Sequence, residues 1–328
     1  MNFRDTREKL IVLDKNFLRA TAANEAKQKA DSSNFGVIVI DTTFKEIARG
    51  GNWPDHYVND FRDWTDRPDR MSISRPVGEL LREEQGTGRT ASIVDIPLTT
   101  RHRQLQREIL VGNRASLVQV SSIVTTELAR LTAGGGELNA AERTTLMRNL
   151  LNVWWNHGNA ATREHFQREF QDPACGPLVE IARYTMGPTV RAILKQSLES
   201  NGYSPANSDA LLNGPSFTNF IHSGFVAYSL VLWAQGRHLD AGTNDQKFLN
   251  QMLDLDYVAY GLCCEALMTN EVIMRRLEGG LRIACDSIWP SKTIDEKRRE
   301  WAYFSWLNRQ KPQNDDWADW FAAEHAIK

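Results

Sequence analysis

The chain has 328 residues, 41% of them hydrophobic and 24% charged, which exceeds one ordinary domain and supplies material for a sizeable core. Its formal charge of −2 argues against a strongly basic nucleic-acid binder, so any contact with nucleic acid must use a local basic patch. The four cysteines (Cys175, Cys263, Cys264 and Cys285) show no metal-ligand spacing, and the adjacent pair lies in an apolar run, which predicts buried, reduced thiols and a cytoplasmic protein.

Residues 10–13 (LIVL) read as a short buried strand ending at Asp14. A helix is predicted over 16–30, broken by Ser32, Ser33 and Asn34, and a second apolar strand over 35–40 ends at Asp41. A short helix over 43–49 closes at Gly50 and Gly51. This strand–helix alternation predicts an α/β fold with a parallel sheet. Residues 51–104 are rich in Asp, Arg, Pro and Gly and read as loops with short helices. Helices are predicted over 105–133, 140–157, 160–170, 176–200 and 216–235, with a loop at 200–215. Residues 245–268 read as helix entering a short strand, 272–278 as a helix, and 281–289 (LRIACDSIW) as a last strand. Residues 291–328 form a tail rich in tryptophan, read as helical and docked by its aromatic face. The N-terminus lacks the apolar stretch of a signal peptide, and the longest apolar run, 225–234, is too short to span a bilayer.

Four acidic positions fall where a strand ends or a helix begins. Asp14 follows the first strand, and in a parallel sheet the carboxyl ends of strands face the ligand crevice; an N-cap is its alternative role. Glu46 lies on the helix after the second strand, where Thr43 and Glu46 also form a capping box. Asp254 and Asp256 open an apolar segment, and two residues apart on a helix they point in different directions, so only one is central. Glu271 follows the strand at 265–268 through Thr269 and Asn270. Gathered together, such carboxylates would repel one another without a cation, and oxygen ligands suit Mg²⁺ or Mn²⁺.

In order and spacing these segments resemble the PIN-domain nucleases. The resemblance rests on the Asp14-Lys15-Asn16 turn after strand one, on VIVIDTTFKEIA with Glu46, on Asp254 or Asp256 in a helix, and on Thr269-Asn270-Glu271 after a later strand. It covers roughly residues 8–50 and 245–290 and implies a discontinuous PIN-like core (1–50 and 245–290) with a three-layer fold and a central parallel sheet. Residues 51–244 then form a mostly helical insertion, able to serve as lid, substrate platform, protein-partner surface or oligomer interface. The resemblance further implies an acidic Mg²⁺ or Mn²⁺ pocket and hydrolysis of phosphodiester bonds, RNA more than DNA, as in prokaryotic toxins or defence effectors. Asp14, Glu46, Asp254 or Asp256, and Glu271 would be ligands or water activators, with Asn16 orienting Asp14 and Thr269 and Asn270 shaping the last turn. Glu271 stands where the family usually has Asp. A second alignment, on VQVSSIVTTELARL, nominates Glu127 in place of Glu46. Two other readings stay open: a scaffold whose acids act only as caps, and a structure-specific DNA nuclease.

Elsewhere, His157, His165 and His222 have no nucleophile pattern beside them and read as structural. The glycines at 134–136 lack the Lys and Ser/Thr of a phosphate loop. The basic run RHRQLQR (101–107) reads as a solvated helix face.

Overall fold

Apolar side chains that alternate along an extended chain reach both faces of a sheet, and the two N-terminal runs do this. In β1 (Glu8–Leu13), Ile11 and Leu13 enter one core and Val12 the other; in β2 (Gly36–Val39), Val37 and Val39 join the first and Ile38 the second. The computed structural model describes residues 3–43, 53–110, 140–171, 176–238 and 246–290. The readings placed on Glu46, Glu127, residues 134–136, Cys175 and the Trp-rich tail lie outside the described residues.

β3 (Met71–Ile73) and β4 (Cys264–Met268) complete a four-stranded sheet, all parallel, in the order β3-β2-β1-β4. The third strand comes from the polar stretch read as loops and short helices, so the sheet draws a strand from the segment read as an insertion. Its brevity hid it, and its outer edge is closed by side chains. The Ile73 N–H donates to Thr99 Oγ1 at 2.9 Å, and Arg103 Nε donates to the Met71 carbonyl at 2.9 Å. Both partners lie on α4 (Ile96–Leu110), so part of the basic run at 101–107 covers a sheet edge, which would otherwise be a template for pairing.

One face of the sheet carries α1 (Ala20–Ser33), α2 (Trp53–Phe61) and α4. The alanines Ala23, Ala26 and Ala30 let α1 lie close to Ile11, Leu13, Val37 and Val39, and Tyr57, Phe61, Trp64 and Leu105 complete that layer. Asn34, at φ 53°, ends α1 in the left-handed region, and the Phe35 N–H donates to the Ala30 carbonyl at 2.9 Å.

The other face carries α3 (Val77–Thr87), α5 (Ala140–His157), α6 (Ala160–Gln171), α7 (Val179–Thr185), α8 (Pro188–Ser200), α9 (Pro205–Leu212), α10 (Phe217–Ala234), α11 (Gln246–Cys263) and α12 (Val272–Ile288). α10 is the hub of this layer. It packs against α3, α5, α6, α7, α11 and α12, and all of its residues but His222 are buried. A helix apolar on every side must be enclosed, and here protein encloses it: among the described residues no helix is long and apolar enough to cross a membrane. Its N-terminus is held by Glu84 of α3, whose carboxylate accepts from the N–H groups of Phe217 (3.1 Å), Thr218 (2.7 Å) and Ala91 (3.1 Å).

Besides β3, three elements differ from the sequence reading. The segment read as a last strand, 281–289, continues α12, because Met274, Leu277, Leu281, Ala284 and Cys285 are buried at helical spacing. Gly279 and Gly280, which look like a break, sit where the helix meets residues 177–178; a Cβ on Gly280 would lie 2.2 Å from the Leu178 carbonyl oxygen. The loop expected at 200–215 contains α9, with Ser204 as N-cap, accepting from the Asn207 N–H at 3.1 Å, and Pro205 in the first turn. The single helix expected over 176–200 is two, separated at Gly187 before Pro188.

Candidate functional site

The chain moves outward from β1 to β2 to β3, then returns to the opposite side of β1 with β4. The order therefore reverses between β1 and β4, and ligands in open parallel sheets bind outside the carboxyl ends of strands at such a point. Asp14 follows β1 there, and Thr269, Asn270 and Glu271 follow β4.

These residues meet through one hydroxyl. The Asp14 N–H donates to the Met268 carbonyl at 3.0 Å, which extends the ladder past the last strand residue. Thr269 Oγ1 donates to Asp14 Oδ2 at 3.0 Å and accepts from the Glu271 N–H at 3.0 Å. Asn16 Nδ2 approaches the same Asp14 oxygen at 3.5 Å, at the outer limit of a hydrogen bond. Thr269 is buried, Asp14 half-buried, and Asn16, Asn270 and Glu271 are exposed.

Neither acid behaves as a cap. Asp14 occupies the N-cap position of the single 3₁₀ turn Lys15–Leu18, and Glu271 the N-cap position of α12, yet neither side chain bonds to a backbone N–H of its helix. The capping alternative therefore leaves both carboxylates unexplained.

Asp256 has a different environment. It lies in the middle of α11 rather than opening the segment, and it is 2% exposed. Arg143 of α5 grips it through two bonds, Nη1 to Oδ1 at 2.7 Å and Nη2 to Oδ2 at 3.1 Å. Thr42, just past β2, donates to Oδ2 at 3.2 Å. Burial opposes the Arg143 charge, but the Asp256 and Asp41 carboxylates outweigh it and hold the guanidinium pKa above its ordinary value. Asp254, half-buried two residues earlier, points away from Asp256 because residues two apart on a helix diverge by roughly 200°.

Asp41 was not nominated from sequence. It ends VIVID as Asp14 ends LIVLD, so the same strand-end argument selects it. It is fully buried, its N–H donates to Ser74 Oγ at 3.0 Å, and its charge acts on both Arg143 and Tyr260. Next to it, Thr43 Oγ1 and the Tyr257 hydroxyl are 2.5 Å apart. The carboxyl end of β2 is thus tied into α5 and α11 by a buried polar network, while the ends of β1 and β4 are more open.

The acids nominated from sequence consequently divide. Asp14 and the backbone of Glu271 meet at Thr269; Asp256 is neutralised by Arg143; Glu46 lies outside the described residues. Among the described residues no three His, Cys, Asp or Glu side chains converge in a metal-binding group. Mg²⁺ keeps several waters and takes one or two carboxylates together with substrate phosphates, a demand that Asp14, with Glu271 on the adjoining turn, is of the right chemistry to meet. The histidines are not drawn to this edge. His157 and His165 are exposed on α5 and α6, and burial pushes His222 on α10 down to about 4. Comparison with protein-family models, with curated proteins and with solved structures finds no match for this chain.

Proposed function

We propose that this protein is a PIN-like, metal-dependent nuclease that hydrolyses phosphodiester bonds of single-stranded RNA at the carboxyl ends of β1 and β4, in keeping with a toxin or defence effector. The observation that carries this reading is that two acids, Asp14 and Glu271, stand at the switch point of a parallel sheet, where Thr269 bonds the Asp14 carboxylate and the Glu271 N–H and neither acid is engaged as a cap. Asp14 and Glu271 would hold Mg²⁺ or Mn²⁺, and Glu46 belongs to the set by sequence alone. A divalent ion held there supplies an activated water and neutralises charge on the leaving oxygen. The protein's part is orientation. Among the described residues both contacts to Asp14 fall on Oδ2, which leaves its Oδ1 facing away from them, and the buried Thr269 hydroxyl helps to orient the carboxylate.

A second reading, a non-catalytic scaffold, is favoured by one observation: Asp256 is committed to Arg143 and joins two helices instead of facing the site. Thermal unfolding with and without Mn²⁺ separates the two. An acidic site that binds the ion stabilises the folded state by mass action. The nuclease reading expects the melting temperature of the wild type to rise with Mn²⁺ and that of Asp14→Asn to rise less. Indifference of both proteins to the ion favours the scaffold.

A further inference from the structure

On the helical layer, α6 and α7 frame an open groove of about 530 Å³, lined by Ala161, Thr162, His165, Phe166, Glu180, Arg183 and Tyr184. The volume falls within the range of small-ligand sites. Its walls combine aromatic and charged groups. Tyr184 is 40% exposed although a large ring is usually covered, and it is backed edge-on by Trp154 (6.2 Å between centroids) and Phe166 (5.5 Å). The ring is therefore held in orientation while part of it faces solvent. Beside it stand the exposed side chains of Arg183 and His165, with Glu180 between them at 2.7 Å from Arg183 and 4.0 Å from His165.

The groove is joined to the sheet edge by a short chain of contacts. Glu169, one turn beyond His165 on α6, accepts from the Glu180 N–H at 2.8 Å and the Ile181 N–H at 3.1 Å, which fastens the start of α7 to the end of α6. Arg276 of α12 donates to the carbonyls of Glu169 (2.8 Å) and Phe170 (2.9 Å), and the Leu178 N–H donates to the Arg276 carbonyl at 3.0 Å. Arg276 lies about one turn, roughly 6 Å of helix axis, past Val272, where α12 leaves the Thr269–Glu271 turn.

We propose that this groove binds a nucleotide unit of single-stranded nucleic acid, its base against Tyr184 and its phosphate against Arg183 and His165. The proposal rests on the nuclease reading for its choice of strand and deepens it by naming where substrate is held away from the reacting phosphate. An exposed, buttressed aromatic ring accepts any base by stacking, and an adjacent guanidinium orients phosphate. Because Glu180 offsets one positive charge in the groove, stacking carries more of the affinity than charge does.

The test is fluorescence anisotropy with a short labelled single-stranded RNA, in the Asp14→Asn background so that the strand is not cut. Hydrolysis of bis(p-nitrophenyl) phosphate by proteins with native Asp14 is followed in parallel as a readout of the catalytic edge alone. Tyr184→Ala is expected to weaken RNA binding by about fivefold to a hundredfold, and Tyr184→Phe to bind as the parent does. Arg183→Gln is expected to lower the slope of log affinity against log salt by about 0.7. Small-substrate hydrolysis should be unchanged in these groove variants. RNA binding undiminished in Tyr184→Ala, RNA binding absent altogether, or a duplex bound as tightly as the single strand overturns the proposal. If Tyr184→Ala loses binding while the wild type hydrolyses neither substrate, the groove assignment stands and the nuclease reading fails.

Discussion

Asp14 and Asp256 are both aspartates beside strand ends, and their neighbours assign them different roles. Asp14 accepts one bond from a buried threonine, on its Oδ2; Asp256 is enclosed and held by two bonds from a guanidinium. Removing one partner of a buried ion pair strands the other charge, at a cost of about 3–5 kcal/mol. Asp256→Asn should therefore lower the stability to urea by about 3 kcal/mol, and a fully stable but inactive variant would return Asp256 to the proposed metal site. Thr269→Val removes the hydroxyl that serves both Asp14 and Glu271. Loss of a group that orients a metal ligand typically costs about 10–100-fold in activity or metal affinity, and that loss is the outcome expected in Mn²⁺ titration and cleavage rate. Unchanged values would remove Thr269 from the site. At this scale the strand-end placement of Asp14, Thr269 and Glu271 was legible, because a carboxylate after an apolar run and a Thr-Asn-acid turn leave local marks. The partner of Asp256 was not: Arg143 lies 113 positions away, and nothing local to either residue announces the pair.

Among the elements, α12 makes the most specific demand on sequence. Its closest approach to residues 177–178 needs a residue without a Cβ at position 280. Gly280→Ala places that atom against backbone, which cannot rotate away, so destabilisation at the upper end of the usual overpacking range, about 3 kcal/mol, is expected in urea unfolding. Wild-type stability in this variant would mean that α12 packs less closely. The same glycines explain one misreading, since a pair of glycines marks a helix end as often as a close contact, and only the buried face running on from Met274 to Cys285 tells the two apart. β1, β2, β4 and the long helices announced themselves by apolar periodicity. β3 did not, because three residues at an edge, finished by Thr99 and Arg103, need no apolar run of their own.

At the scale of the molecule, two imidazoles among the described residues respond to acid: His102, which is buried, and His222, which is half-buried on the surface of α10 with its ring turned inward. Burial pushes His102 down to about 3 and His222 down to about 4, from an ordinary value of 6.5. His102 is further placed by the Tyr57 hydroxyl 2.5 Å from its Nδ1. The unfolded chain takes up these protons first, so stability is fully present above pH 6.5 and is lost as pH falls toward 4. The expected slope is about 1.4 kcal/mol per pH unit for each histidine. Glu84 acts in the opposite sense: burial raises its carboxyl above 4.5 against three backbone donors, so its contribution grows on acidification just above that value. Urea midpoints measured from pH 7 to pH 5 should fall steadily, and His102→Gln should flatten the curve; a flat wild-type curve would contradict the enclosure of the His102 ring.

If the carboxyl ends of β1 and β4 form a metal-dependent phosphodiesterase site, the protein cuts nucleic acid only when a divalent ion is present. Labelled single-stranded RNA and DNA are incubated with the protein in Mg²⁺, Mn²⁺ or EDTA, beside the Asp14→Asn variant. RNA cutting is expected to require the divalent ion and to disappear in a variant that remains folded. Cutting of DNA alone would move the substrate class, and full activity in Asp14→Asn or in EDTA would contradict the site itself.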